Sequence, residues 1–221
     1  MAPATARHPI QFQGSRIAVA LLRLGGWRVR FDGVPAAQGV VIVYPHTSNW
    51  DFVVGILAKW AMGIPVRFWA KDTLFRPALF GAWLRGVGGV PVVRSSPQGL
   101  VDDTVRQLQE HAAGNRLFWL AVTPEGTRSL RPGWKSGFYR VAVQAGVPLA
   151  MASLDFGRRE VRFTEFLELS GDEARDMAAI AAHFADVRGC KPELASPIRL
   201  LEPRAPSATM DASAPLREDT A

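Results

Sequence analysis

Short apolar runs alternate along the chain with longer stretches in which apolar positions recur every three or four residues. The short runs predict strands at 29–31, 40–44, 66–70, 90–93, 117–122, 149–154 and 160–164, with the central five of these forming the core of one sheet. The periodic stretches predict helices at 15–24, 51–62, 77–85, 99–111, 136–144 and 172–184, several opened by Ser or Asp and closed near a Gly. Regular alternation of strand and helix is the pattern of an α/β fold with a mostly parallel or mixed sheet flanked by helices. Residues 1–13 and 202–221 carry no periodic apolar pattern, so the reading is a flexible N-terminus, a single domain over 14–201 and a disordered tail.

Two stretches carry more apolar surface than a buried stripe needs. The helix at 15–24 lines up Ile17, Ala20, Leu21 and Leu24, with Arg16 and Arg23 off that stripe. Such a helix suits a membrane interface, and equally the cover of a sheet edge. Around Leu74, Phe75, Leu79, Phe80, Trp83 and Leu84, bulky groups fall on more than one side and are flanked by Arg76 and Arg85, which points to a lipid-facing or acyl-binding surface. No stretch of about 18 apolar residues is free of charge, so no spanning helix is expected.

Composition narrows the partner. A formal net charge of +6 favours an anionic one, and the absence of zinc-finger spacing or RNA-binding aromatic signatures points away from nucleic acid toward a membrane surface or a phosphorylated substrate. The single cysteine, Cys190, excludes an internal disulfide or multi-cysteine metal site and reads as an inert thiol. The first residues lack a signal-peptide pattern, and the expected location is the cytoplasmic face of a membrane, held peripherally.

Chemistry concentrates where strands end. After the run at 40–44 comes His46-Thr47-Ser48-Asn49-Trp50-Asp51 and then an apolar helix. A turn there can fold the imidazole of His46 over the first helical turn to meet Asp51, fixing one ring nitrogen and freeing the other to accept a proton from a hydroxyl. The plainer alternative makes Asp51 a helix-dipole partner and His46 a satisfied loop residue. After the run at 117–122 comes Glu125-Gly126-Thr127-Arg128, in which Arg128 offers planar donors for a phosphate, Gly126 allows close backbone approach and Thr127 adds a hydroxyl. Glu125 would orient Arg128 or the acceptor, or simply form a surface ion pair with Arg128. Lys71 and Arg94 close two further strands, so that several strand ends together would make an anion-binding rim.

From 38 to 156 the chain resembles the glycerolipid acyltransferases typified by 1-acylglycerol-3-phosphate acyltransferase. His46 to Asp51 is similar to the family's His-x-x-x-x-Asp motif and Gly88 to Arg94 to its second motif. Glu125 to Arg128 is similar to its Glu-Gly-Thr-Arg motif and Val147-Pro148-Leu149 to its fourth. Pro91 stands where the second motif usually has Phe, and Met151 where the fourth often has a second Pro. The resemblance implies a catalytic dyad of His46 and Asp51, and an acceptor phosphate held by Lys71, Arg94 and Arg128. It also implies an acyl donor that is a thioester of acyl carrier protein or coenzyme A, arriving as a co-substrate with no bound cofactor.

The expected reaction is transfer of a fatty acyl group to a hydroxyl of a lysolipid, 1-acylglycerol-3-phosphate first and a lyso-ornithine lipid as the alternative acceptor, without metal or covalent enzyme intermediate. The sequence does not name the oxyanion donors; backbone amides near the helix start at Trp50 are candidates. Two other readings stand beside it: a non-catalytic module that binds anionic lipid, and a dyad thioesterase in which water replaces the lipid hydroxyl.

Overall fold

The computed structural model describes residues 9–92 and 97–201. Its elements run α1 (Arg16–Leu24), β1 (Arg28–Phe31), β2 (Gln38–Tyr44), α2 (Trp50–Met62), β3 (Val66–Lys71), a 3-10 turn (Asp72–Phe75), α3 (Ala78–Gly86) and β4 (Gly89–Val92). They continue with α4 (Pro97–Ala113), β5 (Phe118–Val122), α5 (Gly137–Ala145), β6 (Leu149–Asp155), β7 (Glu160–Leu167), α6 (Glu173–Phe184) and a second 3-10 turn (Pro192–Leu194). The predicted strands and helices are all found, the last residue of the run at 90–93 lying outside the described residues.

The seven strands form one sheet in the order β1-β7-β6-β2-β5-β3-β4. The five strands expected at its core are a contiguous parallel block, β6-β2-β5-β3-β4, but β4 is an edge strand. The interior place goes to β7, which runs antiparallel to β6 through a hairpin and pairs in parallel with β1 on its far side. β2 is the centre of the block: Val40 lies opposite Leu149 on one side and Leu120 on the other. From β2 the chain goes first toward β3 and later returns to β6 on the opposite side, which makes its carboxyl end the crevice where open α/β sheets bind ligands.

Alternate residues of the same strands face two layers of helix. Val40, Ile42 and Tyr44 pack with Leu120, Met151 and the inner faces of α4, α5 and α6, where Leu108, Phe138 and Ile180 are buried. Val41 faces the other way with Trp119, Ala152 and Phe163. Gly39 has no side chain because the Trp119 ring occupies its place, only 2.3 Å from where a Cβ would stand. On that second face Val54 and Ala58 of α2 meet Leu22 of α1, while Ile56 meets Phe75 and Leu84. α1, α2 and α3 therefore form one layer.

Local chemistry sets the helix ends. Ser15 accepts the Ala18 amide at the start of α1, and Asp172 accepts that of Arg175 at the start of α6. α2 stops at Gly63, whose φ of 74° lets its amide turn back to the carbonyls of Lys59 and Trp60.

Two expectations need revision. The packed chain begins ahead of residue 14: Ile10 and Val34 exchange backbone hydrogen bonds at 2.8 and 3.0 Å, and the ring of Phe12 stacks on Phe31. Of the two readings of the α1 stripe, the cover of a sheet edge falls, because the stripe is not the face that packs. Ala18 and Leu22 are buried, whereas Ile17, Leu21 and Leu24 stay 74%, 50% and 87% exposed. Leu79, Phe80 and Trp83 of α3, and Trp50, Val53 and Trp60 of α2, are also exposed, so the α1–α3 layer has an apolar outer surface. No helix among the described residues is long and apolar enough to cross a membrane.

Candidate active site

The turn between β2 and α2 is organised by one carboxylate. Asp51, on the first turn of α2 and 2% exposed, accepts the amides of Thr47 and Ser48 through Oδ2 at 2.6 and 2.7 Å. The same oxygen stands 3.2 Å from Nδ1 of His46. These contacts curl the polar turn back over the helix start, which is how residues five apart come face to face. With Nδ1 directed at Asp51, Nε2 is left for the cavity that His46 lines. Helix capping in its usual form is absent, since Asn49 makes no side-chain bond at the N-cap.

That cavity has a volume of about 750 Å³ and runs beneath α2, between the helix and the sheet. Its walls are apolar, with Val41 and Val43 of β2, Ala152 and Leu154 of β6, and Ile56 and Ala58 of α2. At its polar end it is lined by His46, Asp51, Lys71, Gly126, Thr127 and Arg128. Six of the eight residues singled out in the sequence thus come to one site. Arg94 lies outside the described residues.

Arg128 is exposed, and its Nε donates to the carbonyl of Ser48 at 3.1 Å, which ties the β5 loop to the His46 turn. Gly126 has a φ of 67°, a left-handed conformation that costs a glycine nothing and that bends the loop toward the cavity. Lys71 closes β3 on the same rim. Lys135, not singled out in the sequence, lies against this loop: a Cβ on Gly126 would stand 3.1 Å from its Nζ. Deeper in, Lys59 lines the cavity and donates to the Val87 carbonyl, and burial pulls its pKa below the ordinary lysine value.

Glu125 is the residue whose expected place the structure changes. It neither pairs with Arg128 nor lines the cavity, but is 2% exposed behind the loop. Its Oε2 accepts the His46 amide at 2.6 Å and its Oε1 the Ser196 amide at 2.8 Å. Burial raises its pKa above the ordinary carboxylate value, while those amides and the neighbouring imidazole act in the opposite direction. Tyr44, 7% exposed, donates to the Ser196 carbonyl, and burial together with the charge of Glu125 pushes its phenol up to about 12, so it remains a donor. The amide of Trp50, a candidate oxyanion donor, is taken by the Ser48 hydroxyl at 3.2 Å.

A histidine backed by a buried carboxylate, at the mouth of an apolar cavity with cations on its rim, is an arrangement able to do general-base chemistry and to accommodate a group that is part anion and part hydrocarbon. Residues 28–153 match the Acyltransferase family, and the chain belongs to it. Over 113 residues it is 29% identical to the chloroplastic 1-acyl-sn-glycerol-3-phosphate acyltransferase BAT2 of Brassica napus, a match covering 49% of this chain and 32% of the relative. The chain thus matches about a third of the length of that relative. Among solved structures, the 1-acyl-sn-glycerophosphate acyltransferase PlsC of Thermotoga maritima aligns over 76% of each chain at 19% identity, with a TM-score of 0.49.

Proposed function

We propose that this protein transfers a fatty acyl group from a thioester of acyl carrier protein or coenzyme A to the free hydroxyl of 1-acylglycerol-3-phosphate. The observation that carries this reading is the His46 to Asp51 contact of 3.2 Å at the polar end of an apolar cavity. Nε2 of His46 takes the proton of the lysolipid hydroxyl as its oxygen attacks the thioester carbonyl. The tetrahedral oxyanion then collapses, the C–S bond breaks, and the thiolate leaves, with the imidazolium returning its proton to the sulfur. Asp51 holds the ring in the required tautomer and offsets the charge of the imidazolium. General-base assistance of this kind is worth about 10² to 10⁴ in rate.

Arg128 and Lys71 would meet the acceptor phosphate, and the hydrocarbon of an acyl chain suits the walls beneath α2. The exposed apolar residues of the α1–α3 layer, with Arg16, Arg23 and Arg28 beside them, support peripheral attachment to an anionic membrane, where a lysolipid acceptor would reside.

The test is incubation of the purified protein with radiolabelled acyl-coenzyme A or acyl carrier protein thioester and a panel of lysolipids that includes lysophosphatidic acid and a lyso-ornithine lipid. Labelled diacylated phospholipid should form, and His46→Ala should abolish it while the variant stays folded. Free fatty acid as the sole product would mean a thioesterase, and lipid binding without any product a non-catalytic module.

A further inference from the structure

We propose that residues 189–196, which lie beyond the stretch that defines the family, form a strap that positions His46, with Glu125 and Thr47 as the positioning residues through which it acts. The inference rests on His46 being the base. Where the imidazole points depends on where the backbone of residues 44–47 sits, and the strap touches every residue of that turn, directly or through one intermediary.

The first tie runs through Ser196, which is fully buried. Its carbonyl accepts the hydroxyl of Tyr44 at 3.1 Å, its hydroxyl accepts the amide of Arg131 at 3.1 Å, and its amide donates to Glu125 at 2.8 Å. The other oxygen of Glu125 holds the His46 amide at 2.6 Å. One residue of the strap is therefore bonded to the end of β2 and to the loop after β5, and a single carboxylate relays it to the catalytic histidine. The second tie runs through Thr47, which is 2% exposed and whose Oγ1 accepts the Lys191 amide at 3.1 Å. Next to it Gly189 lies so close that a Cβ would stand 2.9 Å from Thr47 Oγ1 and 3.1 Å from Cβ of Pro45. Thr47 in turn gives its own amide to Asp51.

This arrangement separates Glu125 from the acceptor site. A carboxylate that met the lipid would line the cavity, whereas Glu125 does not line it and each of its oxygens accepts a backbone amide behind the loop. Ionised, it accepts from both; an amide in its place presents an NH₂ group to one of the two N–H donors.

The experiment uses the full chain in three variants, Glu125→Gln, Thr47→Val and Gly189→Ala, with Glu193→Gln on the exposed part of the strap as the control. Two readouts are taken. Steady-state kinetics with palmitoyl-coenzyme A and lysophosphatidic acid varied separately should show kcat lowered about 10- to 100-fold, with both KM values within about twofold, the pattern of a misplaced base rather than lost binding. Nitrogen-15 NMR of the histidine rings, which needs no turnover, should show the His46 signals shifted in all three variants and unchanged in Glu193→Gln. A rise in acceptor KM with kcat intact would place Glu125 against the substrate and overturn the proposal. Unchanged ring signals in folded Gly189→Ala and Thr47→Val would overturn it too, even if Glu125→Gln fails to fold. Moved ring signals in a protein that lacks transferase activity would leave the strap standing and remove the acyl-transfer reading instead.

Discussion

One oxygen of Asp51 faces the His46 ring at 3.2 Å while accepting the amides of Thr47 and Ser48, so a single atom shapes the turn and backs the imidazole. In Asp51→Asn the side-chain carbonyl can still accept the two amides, which preserves the turn, but a neutral group stabilises an imidazolium poorly. The expected result is a folded protein with kcat reduced about 10² to 10⁴-fold. Asp51→Ala should in addition lose about 1–3 kcal/mol of stability, because the buried amide of Thr47 is left without an acceptor. Kinetics alongside thermal melts separate the two effects, and full activity in Asp51→Asn would reduce the residue to an organiser of the turn.

Arg128 commits Nε to the Ser48 carbonyl and, among the described residues, forms no ion pair. Arg128→Ala should raise the KM for lysophosphatidic acid much more than that for the acyl donor, since the lost contact is a charge-assisted hydrogen bond to phosphate. Arg128→Lys should recover part of the loss, charge without the planar fork. Equal losses on both substrates would assign Arg128 to holding the turn through Ser48.

Gly55 lies on α2 along the cavity, and a Cβ there meets no atom within 4 Å. Gly55→Ala should stabilise the helix by about 0.5–1 kcal/mol without harming turnover. Gly55→Leu should shorten the space for hydrocarbon, so that kcat/KM for long acyl donors falls at least about tenfold relative to an eight-carbon donor, in line with about 1–3 kcal/mol per methylene in a tight apolar pocket. A competition assay with mixed acyl-coenzyme A species reads this ratio directly.

Acid should unfold the protein through buried carboxylates other than Asp51 and Glu125. Burial alone would raise the pKa of Asp155, but the amide and guanidinium of Arg158 and the Arg188 amide outweigh it and hold the group below its ordinary value. Asp176 is held low in the same way, burial being outweighed by bonds from Ser170, Tyr139 and Gly171. A depressed carboxylate contributes stability that is complete above its unfolded pKa and disappears as pH falls through the folded one. Stability should therefore decline from about pH 4 downward. Asp176→Asn should flatten that decline and lower the melting temperature at neutral pH, as followed by circular dichroism.

Much of this was legible in the sequence, for identifiable reasons. Runs such as the one at 117–122 are apolar on both faces because the strand is covered on both, and a buried parallel strand has that signature. His46, Lys71 and Arg128 were legible because polar groups placed just past such runs fall on one edge of the sheet. The position of β7 was not, because its composition does not reveal that it forms a hairpin with β6 and displaces β4 from the interior. Nor was the true place of Glu125: its partners are backbone amides of His46 and Ser196, and an amide carries no mark of residue type. Which way the α1 stripe faces was not legible either, because Ile17 and Leu21 are as apolar as Leu22, and periodicity does not say which of two adjacent faces a neighbouring helix will cover.

α2 serves at once as the lid of the apolar cavity and as the stem on which Asp51 is mounted. A helix of 13 residues moves as a stiff rod, so a hydrocarbon tail that lifts its middle also tilts its first turn. If the proposed reaction runs here, the fit of a tail under α2 and the placing of Asp51 are coupled through one helix. On the proposed reading, an ill-fitting chain is expected to slow the chemical step even where it still binds, a selectivity carried by kcat rather than by KM.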